Sequence, residues 1–330
     1  MTIRFGLYGN NGGHQIHREL NLHPDAKVAA VAAMDREWLM KEQQQDTEIR
    51  YYDTLEDMIA DDRVEVISLC SPRREAQADE AILCMSKGKH VYAEKPCAMS
   101  EADLDRILGK MHETGCQFRE MAGTGLQQPY LAMRRLIQSG GIGDVIQVFA
   151  QKSYPYHEGR PQDEAIDGGL IGQNGIHAVR FVEHVACTAI QNIFAIETKT
   201  GNPCSDGDLH MAASMMMELE NGGVAVIVAN YLNPLGFGSW GNEHLRIFGS
   251  KGFMESVDGG SRTRLVIGND DLGPIDTSEP EVSHLDSFIS SLLGRAVMPI
   301  SLEDELHCTR MVIRAKQAAR EYRLTRQRRV

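Results

Sequence analysis

Arg4-Phe-Gly-Leu-Tyr-Gly-Asn-Asn-Gly-Gly13 sets a short apolar run directly against a glycine-rich break, and helical spacing through Ile16, Leu20 and Leu22 follows. A strand that turns through glycines into a helix brings backbone N–H groups to the helix start, where they suit a phosphate. The alternation continues outward from there. Val28 to Ala33 reads as a second buried strand closed by Asp35, and Val64 to Cys70 as a third that stops at Ser71-Pro72. Val91 to Ala93 and Cys116 to Met121 read as extended, with helical patterns opening near Thr54, Glu75 and Ser100. Strands alternating with helices imply right-handed crossovers and a parallel sheet covered on both faces. Residues 1–122 are therefore expected to form an α/β, doubly wound dinucleotide-binding (Rossmann) domain.

The phosphate loop departs from the usual Gly-x-Gly-x-x-Gly pattern. Anchored on Gly9, that pattern places Asn11 at the second glycine and His14 at the third. Asn11 tolerates left-handed backbone, and Gly12 and Gly13 supply freedom beside it, so an anion site on Gly9, Asn11, Gly12 and Gly13 is expected; the alternative is a glycine turn without a ligand. Asp35 is placed to accept hydrogen bonds from an adenosine ribose and to repel a 2′-phosphate, which favours NAD. Arg36 beside it offsets that repulsion and keeps NADP as the alternative.

Two further stretches carry chemistry. His90-Val-Tyr-Ala-Glu-Lys-Pro96 ends a strand on a charged pair followed by proline, which biases Lys95 toward an extended conformation at the strand's end. Gly168-Gly-Leu-Ile-Gly-Gln-Asn-Gly-Ile-His177 delivers a histidine near the start of a helical pattern. Together they suggest a two-part site, a lysine from one domain and a histidine from another. The competing readings are a surface lysine after a strand and a helix-start histidine bonded to backbone.

At 330 residues the chain suits two domains, and 42% hydrophobic with 24% charged residues describes a packed globular protein. A net charge of −12 offers no electrostatic reason to approach nucleic acid or an anionic membrane. The seven cysteines are odd in number and lack a Cys-x-x-Cys, which fits reduced thiols in a cytoplasm; no metal cluster is indicated. The N-terminus enters a strand pattern at once, without a signal peptide, and no apolar run reaches membrane-spanning length.

From residue 123 the pattern changes. Gly123-Thr-Gly125 breaks the alternation, a helix is expected from Pro129 to Ser139, and long strand-like runs follow from Val145 onward, several joined by Gly/Asn turns. Short turns mean antiparallel neighbours, so residues 123–300 are expected to form an α+β substrate-binding and oligomerisation domain with an open, mostly antiparallel sheet. A capped helix and basic tail occupy 301–330. Met215-Met-Met217 is read as sheet core. In Tyr154-Pro-Tyr-His-Glu-Gly-Arg160, the residues Tyr156, His157 and Arg160 are candidates for hydroxyl or carboxylate contacts of a substrate loop; the alternative is a solvated loop. Trp240, Asn242 and His244, on the loop 236–244, are read either as closing over a sugar ring or as packing residues.

The order and spacing of Gly6-Leu-Tyr-Gly9, Ser71-Pro72, Ala93-Glu-Lys-Pro96, Ile142-Gly-Asp144, Gly168-Gly-Leu to His177 and Phe248-Gly-Ser-Lys-Gly252 resemble the glucose-fructose oxidoreductase / inositol dehydrogenase / rhizopine catabolism (Gfo/Idh/MocA) family along essentially the whole chain. The resemblance implies a bound nicotinamide cofactor, a sugar, inositol or other polyol substrate, and a dimer or tetramer built on the C-terminal sheet. It makes Lys95 the active-site lysine and His177 the acid/base histidine. It sets Glu94 beside the nicotinamide and Ser71 with Pro72 along the cofactor, and Asn174 joins the substrate-binding candidates. Three positions depart from the family pattern: Gln173 and Arg180 stand where aspartates are common, and Arg73-Arg-Glu-Ala76 lacks a frequent histidine.

Oxidising a secondary alcohol moves a hydride to nicotinamide C4 and the hydroxyl proton to a base. A neutral imidazole, with an unperturbed pKa of about 6.5, suits that base, and a charged lysine stabilises the developing alkoxide. Gln173 orients a hydroxyl but accepts no proton. The sequence thus points to an NAD(P)-dependent sugar or polyol dehydrogenase. Its alternatives are a glycosidase or lyase that recycles its NAD through oxidation and elimination, and a non-catalytic nucleotide-binding protein.

Overall fold

β1 (Ile3–Tyr8) lies inside a six-stranded sheet of order β3-β2-β1-β4-β5-β6 in a computed structural model that describes residues 2–9, 15–35, 37 and 48–327. Its other strands are β2 (Ala26–Ala32), β3 (Arg50–Tyr52), β4 (Val66–Leu69), β5 (His90–Ala93) and β6 (Phe118–Glu120), and every pairing is parallel. β1 and β4 are buried along most of their length, as a sheet covered on both faces requires. The strand order reverses direction between β1 and β4, and in open sheets of this kind ligands bind outside the carboxyl ends at that point. Side-chain N-caps from Thr54 and Ser100 start the helices Leu55–Ile59 and Glu101–Thr114, as their Thr/Ser-x-x-Asp spacing predicts.

The chain divides into two compact units, one of residues 1–121, 165–167 and 284–299, the other of 122–164, 168–283 and 300–330. Helix His284–Leu292, assigned above to the second domain, belongs to the first. Its Leu285, Phe288 and Ile289 join the core of Phe5, Leu7, Val28 and Val66. Phe288 stacks on Tyr92 with ring centroids 5.3 Å apart, and the Tyr92 hydroxyl lies 2.9 Å from His284 Nδ1. The C-terminal helix Leu302–Gln327 is likewise part of the second unit rather than a separate segment.

That second unit carries an eight-stranded sheet of order β14-β13-β12-β11-β7-β10-β9-β8. The strands are β7 (Val145–Ser153), β8 (Ile190–Thr198), β9 (Ala212–Leu219), β10 (Val224–Asn230), β11 (Asn242–Gly249), β12 (Gly252–Val257), β13 (Arg262–Ile267) and β14 (Asp270–Gly273). All pairs are antiparallel except β7 with β10. That exception has a topological cause, since the long excursion between these strands includes the helical segment Leu170–Val185, and parallel neighbours need such a crossover. One sheet face, with Val148, Ala150, Met215, Ile227, Leu245 and Ile247, packs in a core with Ile176, Val179, Phe181 and the helix residues Met311 and Val312. Strand alternation corrects the methionine reading: Met215 and Met217 are buried, whereas Met216 points to the other face and is 60% exposed.

A charged network ties the last helix to the sheet. Lys316 Nζ lies 2.5 Å from Glu164 and 2.7 Å from Glu197, His210 Nδ1 is 2.8 Å from Glu164, and Arg323 is 3.0 Å from His210 Nε2. Arg323, within the segment read above as a helix and basic tail, is thus a tie to the sheet. Glu164, Glu197 and His210 could together face a cation, but the Lys316 ammonium is the cation that bonds both carboxylates. Burial by itself raises the Glu164 pKa, yet hydrogen bonds from His210 and Lys316 outweigh it and hold the group at about 2. An acid depressed in the folded state stabilises it above the unfolded pKa, here 4.5, and that contribution disappears as pH falls toward about 2. Urea unfolding across that range should show stability declining with acidity, and Lys316→Met should cost about 3 kcal/mol at neutral pH and flatten the decline.

Candidate functional site

In the first unit the candidates gather at the carboxyl ends of β1, β4 and β5. Gly9 has φ +65°, and a β-carbon there would lie 2.1 Å from the Cys70 carbonyl oxygen, so only glycine fits this crossing. Its N–H donates to Ala32 O, and Gln15 Nε2 donates to Gly9 O at 2.6 Å, fixing the start of the loop. Such a bare, closely approached backbone at the reversal between β1 and β4 fits a dinucleotide. Asp35, just past β2, is exposed. Asn11, Gly12, Gly13 and Arg36 lie outside the described residues.

Ser71 is fully buried and its hydroxyl donates to Glu80, whose other carboxylate oxygen accepts from Tyr8 Oη at 3.1 Å. Burial raises the Glu80 pKa, and burial with the neighbouring Glu80 charge raises that of Tyr8. Pro72 beside them is exposed. Sequence reasoning did not single out Gln77, which binds these pieces together. Its Nε2 donates to Glu94 O at 2.6 Å and reaches Pro96 O at 3.3 Å, while its Oε1 accepts from Ser71 N at 3.3 Å and Arg74 at 3.2 Å. Lys95 stands between the two carbonyls that Gln77 holds, its own peptide to Pro96 being cis. The lysine is 2% exposed, and its Nζ lies 3.5 Å from Glu94 Oε1.

In the second unit, His177 lies in the α-helical turn Ile176–Arg180, which is flanked by π-helical turns Leu170–Gly175 and Phe181–Val185. The histidine thus falls inside a continuous helical segment rather than near its start. His177 Nδ1 is 3.1 Å from Thr124 Oγ1, another partner that the sequence reading missed. Its only signal was position, since Gly123-Thr-Gly125 breaks the strand-helix alternation. Tyr154 meets the imidazole edge-on with centroids 6.2 Å apart, and Trp240 lies 6.2 Å from Tyr154 and 5.7 Å from His157. Asn233 holds the Trp240 loop by donating to Ser239 O at 3.0 Å and Trp240 O at 3.1 Å. Lys152 lies 4.8 Å from the Tyr154 ring centre and pairs with Glu243 across the strands.

The remaining candidates divide. Gln173 is 8% exposed, and Asn174 is fully buried, donating to Asn230 O at 2.9 Å as a link between helix and strand. Tyr156 is half-buried, with its hydroxyl 4.0 Å from Cys204 Sγ. Arg160 turns inward, its guanidinium 3.8 Å above the Tyr231 ring. Asn242 and His244 are in β11 rather than a loop, and His244 packs edge-on against Phe149 at 4.9 Å. All seven cysteines are free, and no described helix is long and apolar enough to cross a membrane.

Residues 3–121 match the oxidoreductase family with an NAD-binding Rossmann fold, and residues 130–255 match the GFO/IDH/MocA C-terminal domain. The myo-inositol 2-dehydrogenase of Thermotoga maritima is 21% identical over 266 residues, covering 77% of this chain and 76% of that protein. The trans-1,2-dihydrobenzene-1,2-diol dehydrogenase of Xenopus laevis is 27% identical over 162 residues, 49% of each chain. The aldose-aldose oxidoreductase of Caulobacter crescentus, solved with glycerol, superposes with a TM-score of 0.82 at 18% identity over 97% of this chain and 98% of its own, a likeness of fold.

Gln77→Met keeps side-chain bulk but leaves the Glu94 and Pro96 carbonyls without their donor. The expected result is turnover lowered by about tenfold or more through displacement of Lys95, with far-UV circular dichroism unchanged. Steady-state kinetics beside a spectrum of the variant checks it.

Proposed function

This chain belongs to the Gfo/Idh/MocA oxidoreductase family, and from that premise we propose that it is an NAD(P)-dependent dehydrogenase or reductase for a secondary alcohol of a sugar, glycoside or polyol. The observation that carries the reading is the Thr124–His177 hydrogen bond beside Tyr154 and Trp240. It orients the imidazole next to aromatic faces of the kind on which sugar rings stack. His177 takes the hydroxyl proton during oxidation and returns it during reduction. Lys95, paired with Glu94 at 3.5 Å, donates a hydrogen bond to the reacting oxygen and stabilises its developing negative charge. Gln173 orients a hydroxyl without exchanging a proton. Gly9, Ser71 and Asp35 serve the dinucleotide, whose nicotinamide accepts or supplies the hydride. Asp35 favours NAD through the ribose hydroxyls.

Supplied with NAD and a panel of polyols and sugars, the protein should form NADH in equal amount with ketone. Lys95→Met and His177→Asn should each lower kcat/KM by about 100-fold or more. Full turnover in both variants would remove these residues from the mechanism. Product without NADH would instead favour redox-neutral elimination.

We also propose self-association through the open sheet face. Phe194, Met216, Val226 and Phe149 are neighbours across four strands by register. Phe194 is 39% and Met216 60% exposed, a contiguous apolar row unusual for a monomer's surface. Light scattering should give a multiple of the single-chain mass for the wild type and a smaller species for Met216→Glu. A wild-type mass of one chain would refute the assignment.

A further inference from the structure

Two side-chain cations on or near the packed face of the second unit's sheet have carboxylate partners: Lys152 pairs with Glu243, and Lys316 with Glu164 and Glu197. Arg160 differs. It is 7% exposed, and its Nε is buried with no acceptor among the described residues. The one side-chain hydrogen bond it makes among the described residues is a 3.5 Å contact from a terminal nitrogen to Pro155 O, long for an N–H···O bond. The ring face of Tyr231 at 3.8 Å covers one side of the guanidinium but supplies no negative charge. Among the described residues no carboxylate forms an ion pair with it. A buried guanidinium without a counter-ion is costly unless an anion arrives, and its planar fork matches a carboxylate.

The position of Arg160 ties this deficit to the candidate site. Its backbone N–H donates to His157 O at 3.0 Å, and the His157 ring is 5.7 Å from Trp240, which with Tyr154 forms the aromatic wall beside His177. Burial first, and then the Arg160 charge, lower the His157 pKa, so that imidazole contributes hydrogen bonding without a second positive charge. One uncompensated monovalent cation balances one carboxylate better than it balances a phosphate dianion.

Resting on the dehydrogenase reading above, we infer that Arg160 anchors a carboxylate of the substrate, so that the enzyme acts on an acidic sugar or polyol, of the uronate or aldonate type, in preference to its neutral counterpart. The test uses pairs matched in their hydroxyls: glucuronate with glucose, and gluconate with glucitol. With NAD, the acidic member of a pair should be used with kcat/KM about 10- to 100-fold higher. Arg160→Met should bring that ratio close to one, mainly by raising KM for the acid, and Arg160→Lys should restore part of it. Calorimetric titration of NAD-loaded protein with glucuronate reads the anchor without turnover and should show binding weakened by a similar factor in Arg160→Met.

Wild-type kcat/KM equal within each pair, with glucuronate binding indifferent to Arg160→Met, overturns the carboxylate anchor and leaves the dehydrogenase reading standing. Arg160-dependent glucuronate binding without NADH from any of the four compounds does the reverse. The wild-type ratio needs no variant, so a misfolded Arg160→Met cannot shield the inference.

Discussion

The carbonyl oxygen of Cys70 occupies the space where a β-carbon on residue 9 would have to be. That close crossing of the first and fourth strands is the constraint from which the first unit's chemistry follows. It brings Gly9, just after β1, against the end of β4, where Ser71 begins the chain's turn outward. Gln77 then spans from Ser71 N to the carbonyls of Glu94 and Pro96. A single buried amide therefore sets the spacing between the cofactor-side segment and the lysine-bearing turn. Its four polar contacts also satisfy backbone groups that burial would otherwise leave costly.

The second unit solves a different problem, which is how one sheet serves two surfaces. Its packed face carries the helical segment with His177, and its other face is open and partly apolar. Residue alternation keeps these functions apart within a single strand, since Met215 and Met217 join the core while Met216 lies on the open side. The parallel β7/β10 pair places the ends of both strands on one edge of the sheet. Tyr154 and Tyr231 leave the sheet together there, and the Pro155–Leu232 bridge extends the pairing.

Much of this was legible in the amino-acid order. The strand–glycine–helix start, the apolar runs and the turn chemistry are local signals, and they were enough for both sheets. Helix His284–Leu292 was not assigned to its proper unit, because its amphipathic face says only that it packs, and Tyr92, its partner, lies far away in sequence. Gln77 and Thr124 were missed for a related reason. Neither belongs to a residue type or spacing that marks chemistry, and each acquires its role from a hydrogen bond across a long stretch of chain. The network of Glu164, Glu197, His210 and Lys316 is likewise invisible until β8, β9 and the last helix meet.

Thr124 changes the electrostatics of the candidate base in a specific way. A carboxylate behind a histidine both orients the ring and stabilises the imidazolium that forms when the ring takes a proton. A hydroxyl performs the first task and contributes little to the second, because it brings a dipole rather than a charge. The Thr124 contact, 3.1 Å from Nδ1, is thus one of orientation. The first unit sets charge against charge instead, with Lys95 Nζ 3.5 Å from Glu94 Oε1 and both residues buried. Burial strengthens the attraction between opposite charges and makes each costly alone, so Lys95 and Glu94 each depend on the other to stay buried as an ion pair.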